Sequence, residues 1–330
     1  MKIADIRPDS VMAGQAPALQ KDIEWLAARR DRFAHVPCPG CGGDAPEPLY
    51  EKYRMTHVRC PDCATQYVTP RPDAETLGDF YATSANYEFW AKHVFPVTSA
   101  ARRDQIFRPR AEAVARLARA AGVTDGTLVE VGAAHGLFCN EARKLGLFSR
   151  VIGIEPTPHL ADACREIGVE TVESTYEKTR LDTPADIVAS FEVIEHLFDP
   201  GAFLGWCHAA LKPGGHVLVT CPNIAGFETL ILGRESGAVD HEHLNLFTPE
   251  SLARLAGRSG FADVRVTTPG RLDVELVQRA LDEGAVTRET VGEAMCRLVE
   301  AEDDLQDRFQ ALIQDARLSS NMMMTARKPA

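Results

Sequence analysis

An α/β protein built on a mostly parallel sheet, with a small metal-binding module ahead of it, is what this sequence predicts. Three observations carry that expectation. From residue 123 onward, short β-branched runs alternate with helical segments, and this alternation implies a parallel sheet covered on both faces. The first of those runs ends in a loop of small residues that opens a helix, Glu130-Val-Gly132-Ala-Ala134-His-Gly136. Further upstream, two Cys-x-x-Cys pairs stand 18 residues apart in a stretch rich in Pro and Gly.

The bulk properties agree. A chain of 330 residues suits one large domain plus a smaller module, and 45% hydrophobic with 25% charged residues is ordinary for a soluble globular protein. A formal net charge of −11 argues against a binder that tracks nucleic-acid phosphates. The sequence lacks the run of about 18 apolar residues that a membrane span needs. The amino terminus, MKIADIRPDS, carries charges where a signal peptide has its apolar core. Nine cysteines, an odd number in a long chain, read as reduced thiols or metal ligands rather than a disulfide framework. The expectation is a cytoplasmic protein with no membrane partner.

In chain order, residues 1–35 predict an amino-terminal helix, with Leu19, Ile23 and Leu26 at helical spacing. Residues 36–72 form the cysteine module. Residues 73–122 read as a helical linker or lid: Asp73 caps a helix with Thr76 at the capping-box position, and Tyr81, Tyr87, Phe89, Trp90 and Phe95 follow. A helical pattern over 98–121 should be kinked or divided by Pro109. Residues 123–330 hold the main domain. Its strands fall at 127–132, 150–156, 185–191 and 215–222, with helices near 137–145, 158–167 and 199–211. Thr248-Pro249 opens another helix, 261–268 and 321–328 read as strands, and an acidic helical insertion spans about 272–318, expected as two helices parted near Gly284.

Cys38, Cys41, Cys60 and Cys63 match the C-x₂-C-x₁₅₋₂₀-C-x₂-C spacing of a four-thiolate zinc site. Four thiolates leave no position for water, so the zinc should be structural. Two redox pairs are the rival reading, but neither pair opens a helix. Lys52, Arg54 and Arg59 stand among Asp44, Glu47, Glu51 and Asp62, a poor balance for reading nucleic acid. A ribbon that packs on the main domain fits better.

In the small-residue loop the backbone can turn tightly and approach a ligand, and the helix behind it offers unpaired N–H groups. Glu155 ends the next strand, placed for ribose hydroxyls. The loop alone does not separate a dinucleotide from another nucleotide-like cofactor. Glu130, however, would oppose a pyrophosphate and suits a cationic ligand carrying an amino group.

The pattern E-x-G-x-A-x-G followed by an acid resembles motifs I and II of the class I S-adenosylmethionine (SAM)-dependent methyltransferases. ADIVASFEVIEHLFDP (185–200) is similar to their fourth-strand motif in its E-V-x-E-H-x-x-D-P form. ALKPGGHVLVTCPN (210–223) and DHEHLNLFTPESLARLAGRSGF (240–261) extend the likeness, which covers roughly residues 105–270 and the last strand. The resemblance implies a Rossmann-like, seven-stranded, mostly parallel sheet that binds SAM. It implies that Glu130, Gly132, Ala134 and Gly136 bound the methionine side, and that Glu155 and Pro156 take the ribose. Ser174 or Thr175 then lies near the adenine, and Phe191 and Glu192 face the sulfonium. His196 sits in the E-V-I-E-H turn as a cofactor contact or as the residue that holds the loop. Ala134 departs from the motif's middle glycine; a tighter loop that still binds is expected.

Methyl transfer to an oxygen of high pKa calls for a general base. His243 is the leading candidate and His241 the second, on one side of an extended Asp240–His243 segment; anchoring the loop is the alternative role for His243. A metal on this segment lacks a third ligand in the sequence. Arg102 and Arg103 are candidates for an anionic group of the acceptor. The function expected is O-methylation of a small molecule, such as a saccharide or specialised metabolite, anionic or sugar-linked. A sugar C-methyltransferase ranks below it, because such enzymes carry a further carboxyl-terminal domain where this chain ends on its core strand. A macromolecule methyltransferase that grips RNA or protein through the ribbon is the other alternative. Leu276, Leu298, Leu305, Phe309 and Leu312 of the insertion need burial, within a monomer or in a homodimer.

Overall fold

The computed structural model describes all 330 residues. Its strands, in chain order, are β1 (Phe33–Ala34), β2 (Glu47–Lys52), β3 (Met55–Arg59), β4 (Gln66–Val68), β5 (Arg71–Pro72), β6 (Gly126–Val131), β7 (Phe148–Ile154), β8 (Glu170–Val172), β9 (Ala185–Phe191), β10 (Leu211–Pro222), β11 (Asn245–Leu246), β12 (Ala262–Thr267) and β13 (Asn321–Arg327). Seven of them form one sheet in the order β12-β13-β10-β9-β6-β7-β8. The pairs β10·β9, β9·β6, β6·β7 and β7·β8 are parallel. Leu128, Val129, Ile187, Val188 and Ala189 are fully buried. Near-continuous apolar runs are what a strand needs when helices cover both faces. The expected fold class is therefore the observed one.

Contacts group the chain into two compact units. One comprises Met1–Val94, Cys221–Leu252 and Val266–Met323; the other comprises Phe95–Thr220, Ala253–Arg265 and Met324–Ala330, with most of the seven-stranded sheet.

In the first unit the cysteine module carries a four-stranded sheet, order β11-β4-β3-β2. β11 pairs antiparallel with β4, placing Asn245 opposite Tyr67 and Leu246 opposite Gln66. The sequence reading had no strand at 245–246. Two residues are too few for a period-two pattern to show.

Local signals set most element boundaries. The Thr76 N–H donates to Asp73 Oδ1 at 2.7 Å, the expected cap. Pro109 lies in the first turn of Arg108–Ala120, behind a π-helical stretch, Arg103–Phe107, and the helix Phe95–Arg102. A proline at that position loses only an N–H that had no intrahelical partner. Thr248 and Ser251 cap one another reciprocally, at 3.1 and 2.9 Å.

The insertion differs from expectation. It holds four helices, Asp273–Asp282, Arg288–Val291, Glu293–Val299 and Asp303–Asp315, because Gly292, with a φ of 86°, adds a second break after Gly284 and residues 300–302 add a third. Its apolar core is Val274, Val277, Val291, Cys296, Val299 and Ile313 with Leu232, and Phe309 packs against it. Leu305 and Leu312 remain exposed. Leucine is a good helix former on either face, so its presence did not mark the buried one.

Candidate active site

Four parallel strands deliver their carboxyl ends to one edge of the second unit, where open α/β sheets bind ligands. From β6 the chain enters Gly132-Ala-Ala134-His-Gly136 with φ of 81°, 45° and 68° at Gly132, Ala134 and Gly136. A Cβ on Gly132 would come within 2.6 Å of Val193 Cγ2, so only glycine fits there. Ala134 holds a left-handed conformation despite its Cβ. Its N–H donates to Glu155 Oε2 at 2.8 Å, and its carbonyl accepts from Cys164 Sγ at 2.9 Å. Glu155, at the end of β7, is buried and also accepts from the Thr157 N–H on Oε1 at 2.9 Å. Pro156 beside it is exposed, and Ser174 and Thr175, half-buried, follow β8. Glu130 is buried against Cys139, whose thiol donates to Oε2 at 3.0 Å, and burial pushes its carboxyl up to about 8.

At the end of β9 the Phe191 ring lies between Phe138, at 4.6 Å, and the Arg110 guanidinium, at 4.7 Å. Glu192 has a φ of 55°; its Oε1 takes Arg110 Nη2 at 2.9 Å and the Thr220 hydroxyl at 2.5 Å. Sequence reasoning missed Arg110. The chain offers Arg102, Arg103, Arg108 and Arg110 within nine positions, and only packing shows which one turns inward. Arg102 instead bonds Thr98 at 3.0 Å, and Arg103 pairs with Asp104 at 3.0 Å. His196 ends the 3₁₀ turn Ile194–His196, its N–H donating to the Val193 carbonyl at 3.0 Å.

In the first unit, the Asp240–His243 segment leads directly into β11, and the Val68 N–H of β4 donates to the Leu244 carbonyl at 3.0 Å. The sheet of the cysteine module thereby fixes this segment. His243 is half-buried, and its Nδ1 lies 2.8 Å from the Ala238 carbonyl. His241 is fully enclosed: Nδ1 contacts Asp240, while Nε2 is 3.3 Å from Glu242 Oε1 and 3.8 Å from Asp22 Oδ2. Burial alone would lower its pKa, but Asp22 and Asp240 outweigh that and push it up to about 10. Burial, reinforced by Asp240, raises Glu242 to about 7. The aromatic stretch packs rather than stands free, with Tyr81 and Tyr87 rings 5.5 Å apart and Arg7 stacked over Trp90 at 5.5 Å.

The four cysteines converge. Cys38 and Cys63 sulfurs are 3.4 Å apart, as are those of Cys41 and Cys60, and all four lie within 4.8 Å of one another. Zn–S bonds of about 2.3 Å in a tetrahedron require S···S separations near about 3.8 Å, so the donor set fits. Each pair sits in a tight turn whose closing residue is left-handed: Gly42 after Cys41 and Ala64 after Cys63, with φ of 83° and 59°. Gly42 N–H bonds the Cys38 carbonyl and Ala64 N–H the Cys60 carbonyl, the same turn twice.

Comparison with known proteins adds the following. The family described as "Methyltransferase domain" matches residues 102–266, half of the chain. A ubiquinone biosynthesis O-methyltransferase of Bradyrhizobium sp. (strain ORS 278) is 32% identical over 142 residues, covering 38% of this chain and 54% of the relative. The protein of that name from Rhodopseudomonas palustris (strain HaA2) is 34% identical over 116 residues, covering 33% and 45%. The chain thus spans about half the length of the curated relatives it matches. Among solved structures, a SAM-dependent methyltransferase of Thermotoga maritima, described as a possible histamine N-methyltransferase, is 19% identical, with a TM-score of 0.46 over 73% of this chain and 94% of that one.

The surroundings of His241 set a pH dependence. Its folded pKa is raised above the ordinary 6.5, so its stabilising contribution is complete below that pH and is lost as pH rises through about 10. His241→Gln should cost about 3 kcal/mol at the acid end of this window, the range for breaking a buried ion pair. Thermal melts across the window should show the gap to wild type closing as pH approaches 10; a gap that stays constant would mean that His241 is neutral.

Proposed function

The chain belongs to the class I SAM-dependent methyltransferases, and from that premise we propose that it methylates an oxygen of a small molecule, with His243 as general base. The observation that carries this is the contact between His243 Nδ1 and the Ala238 carbonyl. A carbonyl only accepts, so Nδ1 carries the hydrogen and the basic lone pair lies on Nε2. His241, held as an imidazolium between carboxylates, has no lone pair to offer, which leaves His243 as the base.

The residues at the strand ends suit SAM. Glu130 and the loop through Gly132, Ala134 and Gly136 would hold the methionine amino side, and the half-buried Arg110 would face its carboxylate. Each Glu155 oxygen accepts one backbone N–H and keeps a second lone pair for a ribose hydroxyl, with Pro156 beside it. Ser174 and Thr175 flank the adenine, and Phe191, Glu192 and His196 stand at the sulfonium end. When bound, SAM supplies an electrophilic methyl group. His243 Nε2 would take the proton of the acceptor's hydroxyl.

The curated relatives' name, ubiquinone biosynthesis O-methyltransferase, favours a small molecule and an oxygen. The net charge of −11 disfavours RNA. Zinc on Cys38, Cys41, Cys60 and Cys63 would be structural, bracing the sheet that fixes the His243 segment. The insertion packs much of its apolar face against Leu232 and Phe227, which favours an internal role for that part, while Leu305 and Leu312 stay exposed.

A screen with labelled SAM against phenols, saccharides, sugar nucleotides, RNA and protein should label a small hydroxyl compound. Transfer to RNA or protein alone would refute this reading. On the acceptor so found, His243→Ala should lower kcat at least about tenfold while leaving SAM affinity unchanged. Equal turnover would remove His243 from the mechanism. Glu155→Ala should weaken SAM binding about 10- to 100-fold by calorimetry, since both a ligand contact and the anchor of the loop go. Elemental analysis should find one zinc per chain, lost with the fold of the module in the Cys38→Ala/Cys60→Ala variant.

A further inference from the structure

Asp22 lies on the helix Ala16–Ala27, ahead of every motif that carries the chemistry, yet it is buried and heavily engaged. It accepts from the Ser84 hydroxyl at 2.5 Å, the Ala85 N–H at 2.8 Å and the Asn86 N–H at 3.0 Å, which caps the helix Ala85–Phe89. Three bonds would satisfy a capping carboxylate. Its Oδ2 nonetheless also faces His241 Nε2 at 3.8 Å, in a space closed by the edges of Phe80 and Tyr53. A second connection runs from Asn86, whose Nδ2 donates to Glu242 Oε1 at 3.1 Å; that same oxygen is the one 3.3 Å from His241 Nε2. Asp22 therefore reaches Glu242 twice, through His241 and through Asn86.

We infer that Asp22 is a positioning residue for the acceptor side: through His241 and Asn86 it fixes Glu242 and, next in the chain, the orientation and tautomer of His243. This rests on His243 as the base. The buried imidazolium is held by Asp22 from the amino-terminal helix and by Asp240 and Glu242 from its own segment. Tyr53 from the β2–β3 turn faces it across the ring edge, and Lys52 interacts with Asp240. Removing the Asp22 charge from beside an enclosed cation weakens the charged form, because burial already opposes it. The segment would then lose the contact that aligns Glu242.

The test is nitrogen-15 histidine NMR on the full chain, compared for wild type, Asp22→Asn, Asn86→Ala and Ser84→Ala. Wild type should show His241 as an imidazolium at neutral pH and His243 as one tautomer with hydrogen on Nδ1. Asp22→Asn should shift the His241 equilibrium toward imidazole at least about tenfold, one pKa unit, and leave His243 averaging between tautomers. Ser84→Ala removes a cap contact without a charge, so it should lower the melting temperature and leave both signatures as in wild type. If Asp22→Asn does not fold, Asn86→Ala keeps every charge and should still release the His243 tautomer while His241 stays charged. Wild-type signatures in Asp22→Asn, or in Asn86→Ala where only that variant folds, would overturn the inference. So would Ser84→Ala reproducing the change. Because the readout is protonation and not turnover, it separates failure of this linkage from failure of His243 as base.

Discussion

One buried carboxylate holds the sheet edge together. Glu155 spans the loop after β6 and the turn after β7, with one oxygen on the Ala134 N–H and the other on the Thr157 N–H. Left-handed backbone costs a residue with a Cβ about 1–2 kcal/mol, and Ala134 adopts it between two glycines that do so freely. Charge-assisted hydrogen bonds are of that size or larger, so Glu155 offsets the strain and sets the loop's path. The helix Leu137–Lys144 follows from where the loop ends, and Glu130 is sealed beneath it against Cys139. Glu155, which the resemblance assigns to a ribose, is in the protein itself the brace of the loop.

What could be read in the sequence was whatever is written locally. The spacing of the cysteines, the cap at Asp73 and the small-residue loop each need only a few neighbouring positions, and each stands where expected; ahead of Pro109 the helix passes through a π-helical turn and continues without a break. What could not be read needed tertiary partners. Arg110 looks like its three neighbouring arginines until Phe191 and Glu192 are packed beside it. Asp22 looks like any acid on an amphipathic helix until His241 is placed against it. In the insertion the apolar periodicity points to Leu305 and Leu312, yet these stay exposed while valines, Cys296 and Ile313 are buried, and breaks at Gly292 and at 300–302 join the expected one near Gly284. The two histidines look equivalent by alternation, and only their surroundings separate them: His241 is enclosed among Asp22, Asp240 and Glu242, whereas His243 Nδ1 meets the Ala238 carbonyl.

The cysteine module and the His243 segment are parts of one structure. β4 pairs with β11, and the Val68 bond to the Leu244 carbonyl continues that pairing toward His243. Position is conveyed through backbone hydrogen bonds, which side-chain substitution leaves intact. The two cysteine turns differ in one respect. The first closes with Gly42 and the second with Ala64, so the second bears a cost the first does not.

The pairing of β4 with β11 also bears on how the chain folds. Residues 66–67 meet partners at 245–246, so this edge closes only after most of the seven-stranded sheet has been synthesised. Contacts of such sequence separation are slow to form, because the intervening chain must be gathered before they return any energy. Until then β4 presents an open row of N–H and C=O groups, the kind of edge that recruits strands from other molecules. Pairing with residues 245–246 covers that edge.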